Sequence, residues 1–163
     1  MQLLTPTQIE PLQPKITHSQ RLMVMGSCFA THIGGRLAQM KWRTEVNPFG
    51  VLYNPLSIAE ALTSLLDYRP LTEDELTLFP DGGWNTWLHH SRYSHPDKTG
   101  ALMAINRSLV SASTLLRQAD VLILALGTAW VYRLKDTRQV VGNCHKVPER
   151  EFVRQRLTVE EIT

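Results

Sequence analysis

The chain has 163 residues, 43% hydrophobic and 20% charged, with a formal net charge of +2. These values suit one globular domain with a real core and exclude a disordered or coiled-coil chain. Basic residues are dispersed apart from Arg150, Arg154 and Arg156, so a solvated face is expected there and no nucleic-acid partner.

Met1 to Lys15 holds three prolines and no long apolar run, which argues against a signal peptide. No window reaches membrane-spanning length. Two cysteines, Cys28 and Cys144, cannot build a disulfide scaffold, so a reducing, cytoplasmic setting without a membrane partner is expected. Residues 1–20 read as an irregular lead-in.

Arg21 to Ser27 is near-continuously apolar and predicts a strand buried on both faces. It halts at Gly26, and Phe29 to Met40 can be helical despite Gly34-Gly35. This pattern, a buried strand ending in a tight turn that opens a helix, lifts one polar side chain to the crest of a sheet. A nucleophile there lies beside N–H donors able to hold a developing oxyanion. Ser27 is the candidate, and its plainer role is to cap the helix. Cys28 beside it is expected to be buried filler, although a thiol at a helix N-terminus is also a candidate nucleophile.

Arg43 to Val46 suits a short strand. Asn54-Pro55 reads as an N-cap followed by proline at the first helical position, with Ile58, Leu62, Leu65 and Leu66 on one face behind it. Pro70 to Pro80 is loop-like. Trp84 to Ser94 mixes tryptophans, histidines and hydroxyls; it is either the wall of a small-ligand cleft or a hairpin whose tryptophans cover the core. Thr99 to Ala119 is the clearest helix, with Leu102, Ile105, Leu109, Ala112 and Leu116 at spacings of three and four. Val121 to Leu126 is a second strongly buried strand, halted by Gly127. Val131–Leu134 and Gln139–Val141 predict a hairpin.

Thr158-Val159-Glu160-Glu161 matches a capping box, yet only two residues follow it. A helix of one turn has no independent stability. The parallel strands are also few for an α/β sheet. Residues 21–163 are therefore expected to be the N-terminal portion of a larger domain. Histidine and cysteine spacing does not suit zinc: His89-His90 and Cys144-His145 are adjacent pairs, so no metal is expected. His90 and His145 are instead candidates for polar pocket residues. Gly50 has the plain role of a turn glycine.

Gly26-Ser27-Cys28-Phe29-Ala30 resembles the signature of the GSCFA-domain family, which is in turn similar to the SGNH/GDSL esterases and lipases. Further segments resemble other family signatures in order: Asn47 to Pro55, His90 to Ser94, Leu126 to Tyr132 and Asn143 to Pro148. The resemblance implies an α/β/α three-layer sandwich with a mostly parallel, flavodoxin-like sheet. It also implies a hydrolase of ester bonds, on a small-molecule or carbohydrate ester, with no cofactor. By motif, Ser27 would be the nucleophile and Gly50 an oxyanion donor. The Gly127-Thr128 turn matches the third block, but Ala129 stands where the family pattern of such hydrolases has an asparagine. Thr128, Asn54 or a histidine is then the substitute donor. The Asp-x-x-His base of these hydrolases has no match after Pro148, so little turnover is expected of residues 1–163. The alternatives are a non-catalytic small-molecule or glycan-binding module on the same fold, and a Cys28-based or metal-assisted enzyme.

Overall fold

The computed structural model describes residues 9–163 apart from Leu12; the remainder of the N-terminal lead-in lies outside the described residues. From Ile9 to Gln20 the described lead-in has no helix or strand. Ile16 packs against the cluster of Leu22, Val24 and Ala30, and the His18 ring stacks on Trp42 at 4.1 Å.

Three parallel strands organise the chain: β1 (Arg21–Gly26), β2 (Arg43–Val46) and a later strand at Val121–Ala125, in the spatial order β2, β1, Val121–Ala125. Between the first two lies α1 (Cys28–Gln39). Two further helices, α2 (Pro55–Asp67) and α3 (Lys98–Leu116), precede the third parallel strand. A small hairpin, β3 (Thr77–Leu78) with β4 (Trp84–Asn85), falls between α2 and α3. Numbered in chain order, Val121–Ala125 is β5. It is followed by an antiparallel sheet of β6 (Trp130–Leu134), β7 (Val140–Val141) and β8 (Phe152–Arg156), in the order β7-β6-β8. The expected α/β class is observed, and the 131–141 hairpin is β6–β7, with Tyr132 opposite Val141.

Alternation along β1 divides the core, because successive side chains of a strand face opposite sides. Leu22 and Val24 pack with Ala30 and Leu37 of α1. Met23 and Met25 pack with Ile58 and Leu65 of α2 and Ile105 and Leu109 of α3. Helices therefore cover β1 on both faces. β5 differs from the expectation of a strand buried on both faces: Leu122 and Leu124 are 43% and 45% exposed. The reason is position. Among the described residues β5 is an edge strand, paired only with β1, and no helix covers its Leu122–Leu124 side.

The helices begin where their caps dictate. Asn54 Oδ1 accepts the Ser57 N–H at 2.8 Å and Asp97 Oδ2 accepts that of Gly100 at 2.6 Å. The Thr158–Glu161 capping box forms in both directions, at 2.8 and 3.3 Å. The basic cluster is partly engaged: the Arg154 guanidinium lies 4.0 Å over the Trp130 ring, across the β6–β8 pairing.

Two contacts close the top of β1. Gly26 has φ +133°, and a Cβ there would come within 2.2 Å of the Ala125 carbonyl oxygen. Its N–H donates to Asn47 Oδ1 at 2.7 Å, in the buried interior. Asn47, with φ +47° and 2% exposure, also donates its own N–H to Val24 O at 2.9 Å and Nδ2 to Thr31 Oγ1 at 2.8 Å. Asn47→Ala leaves the buried Gly26 amide unpaired and puts a Cβ-bearing apolar residue in the left-handed region. It is expected to cost about 2–4 kcal/mol in urea denaturation, whereas a solvent-facing control such as Arg107→Ala changes stability little.

Candidate functional site

The turns after all three parallel strands meet at their carboxyl ends. This is the place where β1 leads to β2 on one side and the chain later returns to β5 on the other, the usual ligand crevice of such sheets. Leu52 N–H donates to Gly26 O at 3.0 Å, which brings the loop after β2 against the β1 turn. Gly127 and Thr128 both donate their N–H groups to Tyr53 O, at 2.8 and 3.1 Å, which brings in the turn after β5. A Cβ on Gly127 would lie 2.8 Å from Tyr53 Cδ1 and 3.2 Å from Ser27 Cβ. Glycine at 127 thus lets Ser27 and the half-exposed Tyr53 approach each other.

Ser27 occupies the N-cap position of α1 with φ −67° and ψ 179°, yet its hydroxyl makes no capping bond. Among the described residues that hydroxyl has no hydrogen-bond partner. A serine cap contributes about 0.5–2 kcal/mol, so the plain capping role is not the one this side chain fills. The N–H groups of Cys28, Phe29 and Ala30 open α1 and have no described acceptor, while the first helical bond runs from Thr31 N to Ser27 O at 3.4 Å. Unpaired amides at a helix start, together with the helix dipole, favour an anion or a carbonyl oxygen.

The remaining candidates fall into two groups. Gly50 and His90 belong to the crest. Gly50 has φ +82°, and a Cβ on it would come within 2.1 Å of His90 Cβ, while His90 N–H donates to Phe49 O at 2.8 Å. His90 Nδ1 accepts the Arg92 N–H at 3.1 Å, so the neutral ring carries its hydrogen on Nε2 and presents a donor there. Partial burial, then the nearby Arg92 charge, hold its pKa below the ordinary histidine value.

The other candidates, and the Gly50 amide itself, are committed elsewhere. Gly50 N–H already donates to Asn47 O at 2.7 Å, and those of Gly127 and Thr128 to Tyr53 O, so these amides are not free oxyanion donors. Ser27 N–H is likewise engaged, with Ala125 O at 2.9 Å. Thr128 Oγ1 accepts the Trp130 N–H at 3.0 Å. Asn54 is consumed as a cap, its Nδ2 also donating to Ser57 Oγ at 3.0 Å.

His145 differs most from expectation. It is 2% exposed, stacked on Phe79 at 4.0 Å, and donates Nε2–H to Thr86 O at 2.9 Å. It is walled in by aromatic rings because the strand before it, β7, belongs to the antiparallel sheet and not to the parallel one. Cys28 also corrects the expectation of buried filler: it is exposed, since the first residue of α1 faces solvent. Among the described residues no three His, Cys, Asp or Glu side chains converge on a point that could hold a metal. No helix of the described residues is long and apolar enough to cross a membrane.

Sequence reasoning missed Asn47, Tyr53 and His89. The first two lie inside the Asn47–Pro55 motif, where an asparagine before proline and an aromatic between Gly50 and Asn54 were the available signals. His89 is 2% exposed, stacked on Phe49 at 4.5 Å. Burial first, then the neighbouring His145 and Arg92, push its pKa down to about 3.

A histidine held neutral in the fold but free to protonate when unfolded makes the unfolded state bind more protons below its ordinary pKa. Stability from His89 is therefore full above pH 6.5 and falls as pH drops toward about 3. The His89 ring resonances are expected not to titrate between pH 8 and 5 by NMR, while the urea midpoint declines over the acid half of that range. A His89 titration near its ordinary value would contradict the burial described.

No curated protein and no solved structure matches the chain. The GSCFA family model matches residues 21–163, a span that holds β1, the Ser27 turn and every other element of the crest. With the family's namesake residues forming that turn, the chain belongs to the GSCFA family.

Proposed function

We propose that this protein is a serine hydrolase that cleaves an ester, an acyl group on a small molecule or a carbohydrate, through an acyl–enzyme on Ser27. The observation that supports this reading is the hydroxyl of Ser27, left unbonded at a helix start whose three leading amides are also unpaired. In the first step a base takes the Ser27 proton, Oγ bonds to the ester carbonyl carbon, and the carbonyl oxygen becomes an oxyanion. The leading amides of α1 and the Nε2–H of His90 are the donors for that oxygen. The base then returns the proton to the departing alcohol as the ester C–O bond breaks. Water, deprotonated by the same base, attacks the acyl carbon and releases the acid and free Ser27. No step needs a metal or an organic cofactor.

A serine hydroxyl is a weak nucleophile without such a base. His90 is not one as it stands, because its Nδ1 lone pair is taken by Arg92 N–H. On this reading the base is an Asp-x-x-His element, as in the SGNH hydrolases that the family resembles, an element with no match among residues 149–163.

The engaged amides of Gly50, Gly127 and Thr128, with Ala129 in the asparagine position, favour a second reading. In it the same crest holds a small molecule or glycan without turnover. A third reading uses the exposed Cys28 thiol, at the same helix start, as nucleophile.

A fluorophosphonate probe applied to the full-length protein separates the three. The expected result is one adduct, on Ser27 by mass spectrometry. Ser27→Ala is then expected to lower p-nitrophenyl acetate turnover about 10³-fold or more. No adduct, with turnover equal to that of Ser27→Ala, leaves the binding module. Activity lost in Cys28→Ser and kept in Ser27→Ala transfers the chemistry to the thiol. Residues 1–163 alone are expected to turn over little.

A further inference from the structure

One side of the crest is poor in free polar groups, and it is the side next to the Ser27 hydroxyl. Residues 51–57 and 125–131, in the loop after β2 and the turn after β5, contain no charged side chain and no histidine. Their polar groups are largely spent on each other. Gly127 and Thr128 N–H go to Tyr53 O, Thr128 Oγ1 accepts the Trp130 N–H, and Asn54 caps α2.

Two large side chains stand open there: Tyr53 is 47% and Leu126 51% exposed. Tyr53 is not exposed through looseness. Leu52 before it is buried and donates its N–H to Gly26 O, and Asn54 after it is buried as a cap. Its own carbonyl takes two N–H groups. Leu126 lies between Ala125, whose carbonyl holds the Ser27 amide, and Gly127.

Both residues belong to one face of the sheet. Leu122 and Leu124 are the register partners of Met23 and Met25, so they share the face that α2 covers over β1. Leu126 continues their alternation, and Tyr53 stands directly before the cap of α2. Single apolar residues scattered over a surface are ordinary. A fixed apolar pair beside a nucleophile is a wall of its site.

The geometry says which part of a substrate meets that wall. Ser27 Cβ and Tyr53 Cδ1 come within 3.2 and 2.8 Å of one point, the place a Gly127 Cβ would take. An ester with its carbonyl carbon at Ser27 Oγ and its carbonyl oxygen toward the leading amides of α1 lays one substituent against the Tyr53 ring. A hydroxyl-rich substituent would give up water there for few partners, which is costly. A charged one would meet no counter-ion in either segment. An apolar one gains with each methylene it buries. The alcohol departs in the first step, whereas the acyl group stays on Ser27 through both, so a wall fixed beside Ser27 serves the acyl group.

We propose that Tyr53 and Leu126 form the acyl subsite of the Ser27 centre, that it takes an unbranched apolar acyl group longer than acetyl, and that Tyr53 sets this preference. The inference rests on the reading of Ser27 as nucleophile. From Leu126 back to Leu124, two residues of extended chain span about 7 Å, the reach of about six carbons.

The test compares p-nitrophenyl acetate with p-nitrophenyl hexanoate on the full-length protein and on Tyr53→Ala, Tyr53→Phe and Met103→Ala. The parent is expected to favour hexanoate in kcat/KM by about ten-fold or more. Tyr53→Ala is expected to lower that ratio about five-fold or more, chiefly through the KM for hexanoate. Tyr53→Phe keeps the apolar ring and is expected to keep the ratio, as is Met103→Ala on the exposed side of α3. Equal kcat/KM for the two esters in the parent, or a ratio that survives Tyr53→Ala, overturns the proposal. A ratio lost in Tyr53→Phe overturns it too, because the phenol and not the ring would then set it. Failure of the nucleophile reading shows separately, as no fluorophosphonate adduct on Ser27. The subsite is then judged by ¹⁵N NMR of Ser27→Ala. There methyl hexanoate at about 5 mM is expected to shift the Gly127 and Thr128 amides, methyl acetate is not, and adding Tyr53→Ala removes the shift. Absence of any shift with methyl hexanoate overturns the subsite as well.

Discussion

The hydrogen bond from the Gly26 amide to the Asn47 side chain is the tie on which the rest of the molecule depends. A strand that ends inside a protein must hand its last amides to some acceptor, since an unpaired buried N–H costs about 1–3 kcal/mol. Here the acceptor comes from the loop after the neighbouring strand, so one contact ends β1 and places that loop. Asn47 then spends its remaining groups on Val24, Thr31, Arg92 and Gly50. The adjacent Pro48 carbonyl is held by Tyr93 and Ser108, which anchors the loop to α3. Strand, loop and two helices are thereby referred to the Asn47-Pro48 pair.

That organisation decides which groups at the crest are free. Amides that a loop needs for its own closure, those of Gly50, Gly127 and Thr128, are paired within the loops. Those of the first turn of α1 are unpaired by the geometry of helices in general, and Ser27 does not spend its hydroxyl on them. A side chain that forgoes a stabilising cap is a local departure from the otherwise consistent pattern of the chain, and such departures concentrate at functional positions. Polarity at the crest therefore resides in one hydroxyl and one helix start, with the His90 ring beside Gly50.

Much of the fold was legible in the sequence because its signals are local. The apolar run ending at Gly26, the Asn54-Pro55 cap and the three-four spacing from Leu102 to Leu116 each depend on residues within a few positions of one another. The site was less legible, because it is made of long-range pairings. That Gly50 N–H closes on Asn47 O, or that His145 is enclosed by Phe79 and Trp87, follows from how separate sheets are stacked. Periodicity carries no information about that. β8 escaped notice for a related reason: Phe152–Arg156 has three exposed polar residues at its end and acquires strand geometry only by pairing along β6. Ser27 was the exception, since a glycine turn between strand and helix fixes its place locally.

β5 has one neighbour where β1 has two, and this grades the sheet from its centre outward. Among the described residues the outer peptide groups of β5 have no strand partner, so in residues 1–163 deuterium should enter that strand well before it enters β1, which pairs on both sides. The serine amide hangs from the carbonyl of Ala125, the last residue of this margin. Fraying there would slacken the Ser27 turn, so whatever steadies the outer strand also steadies that hydroxyl.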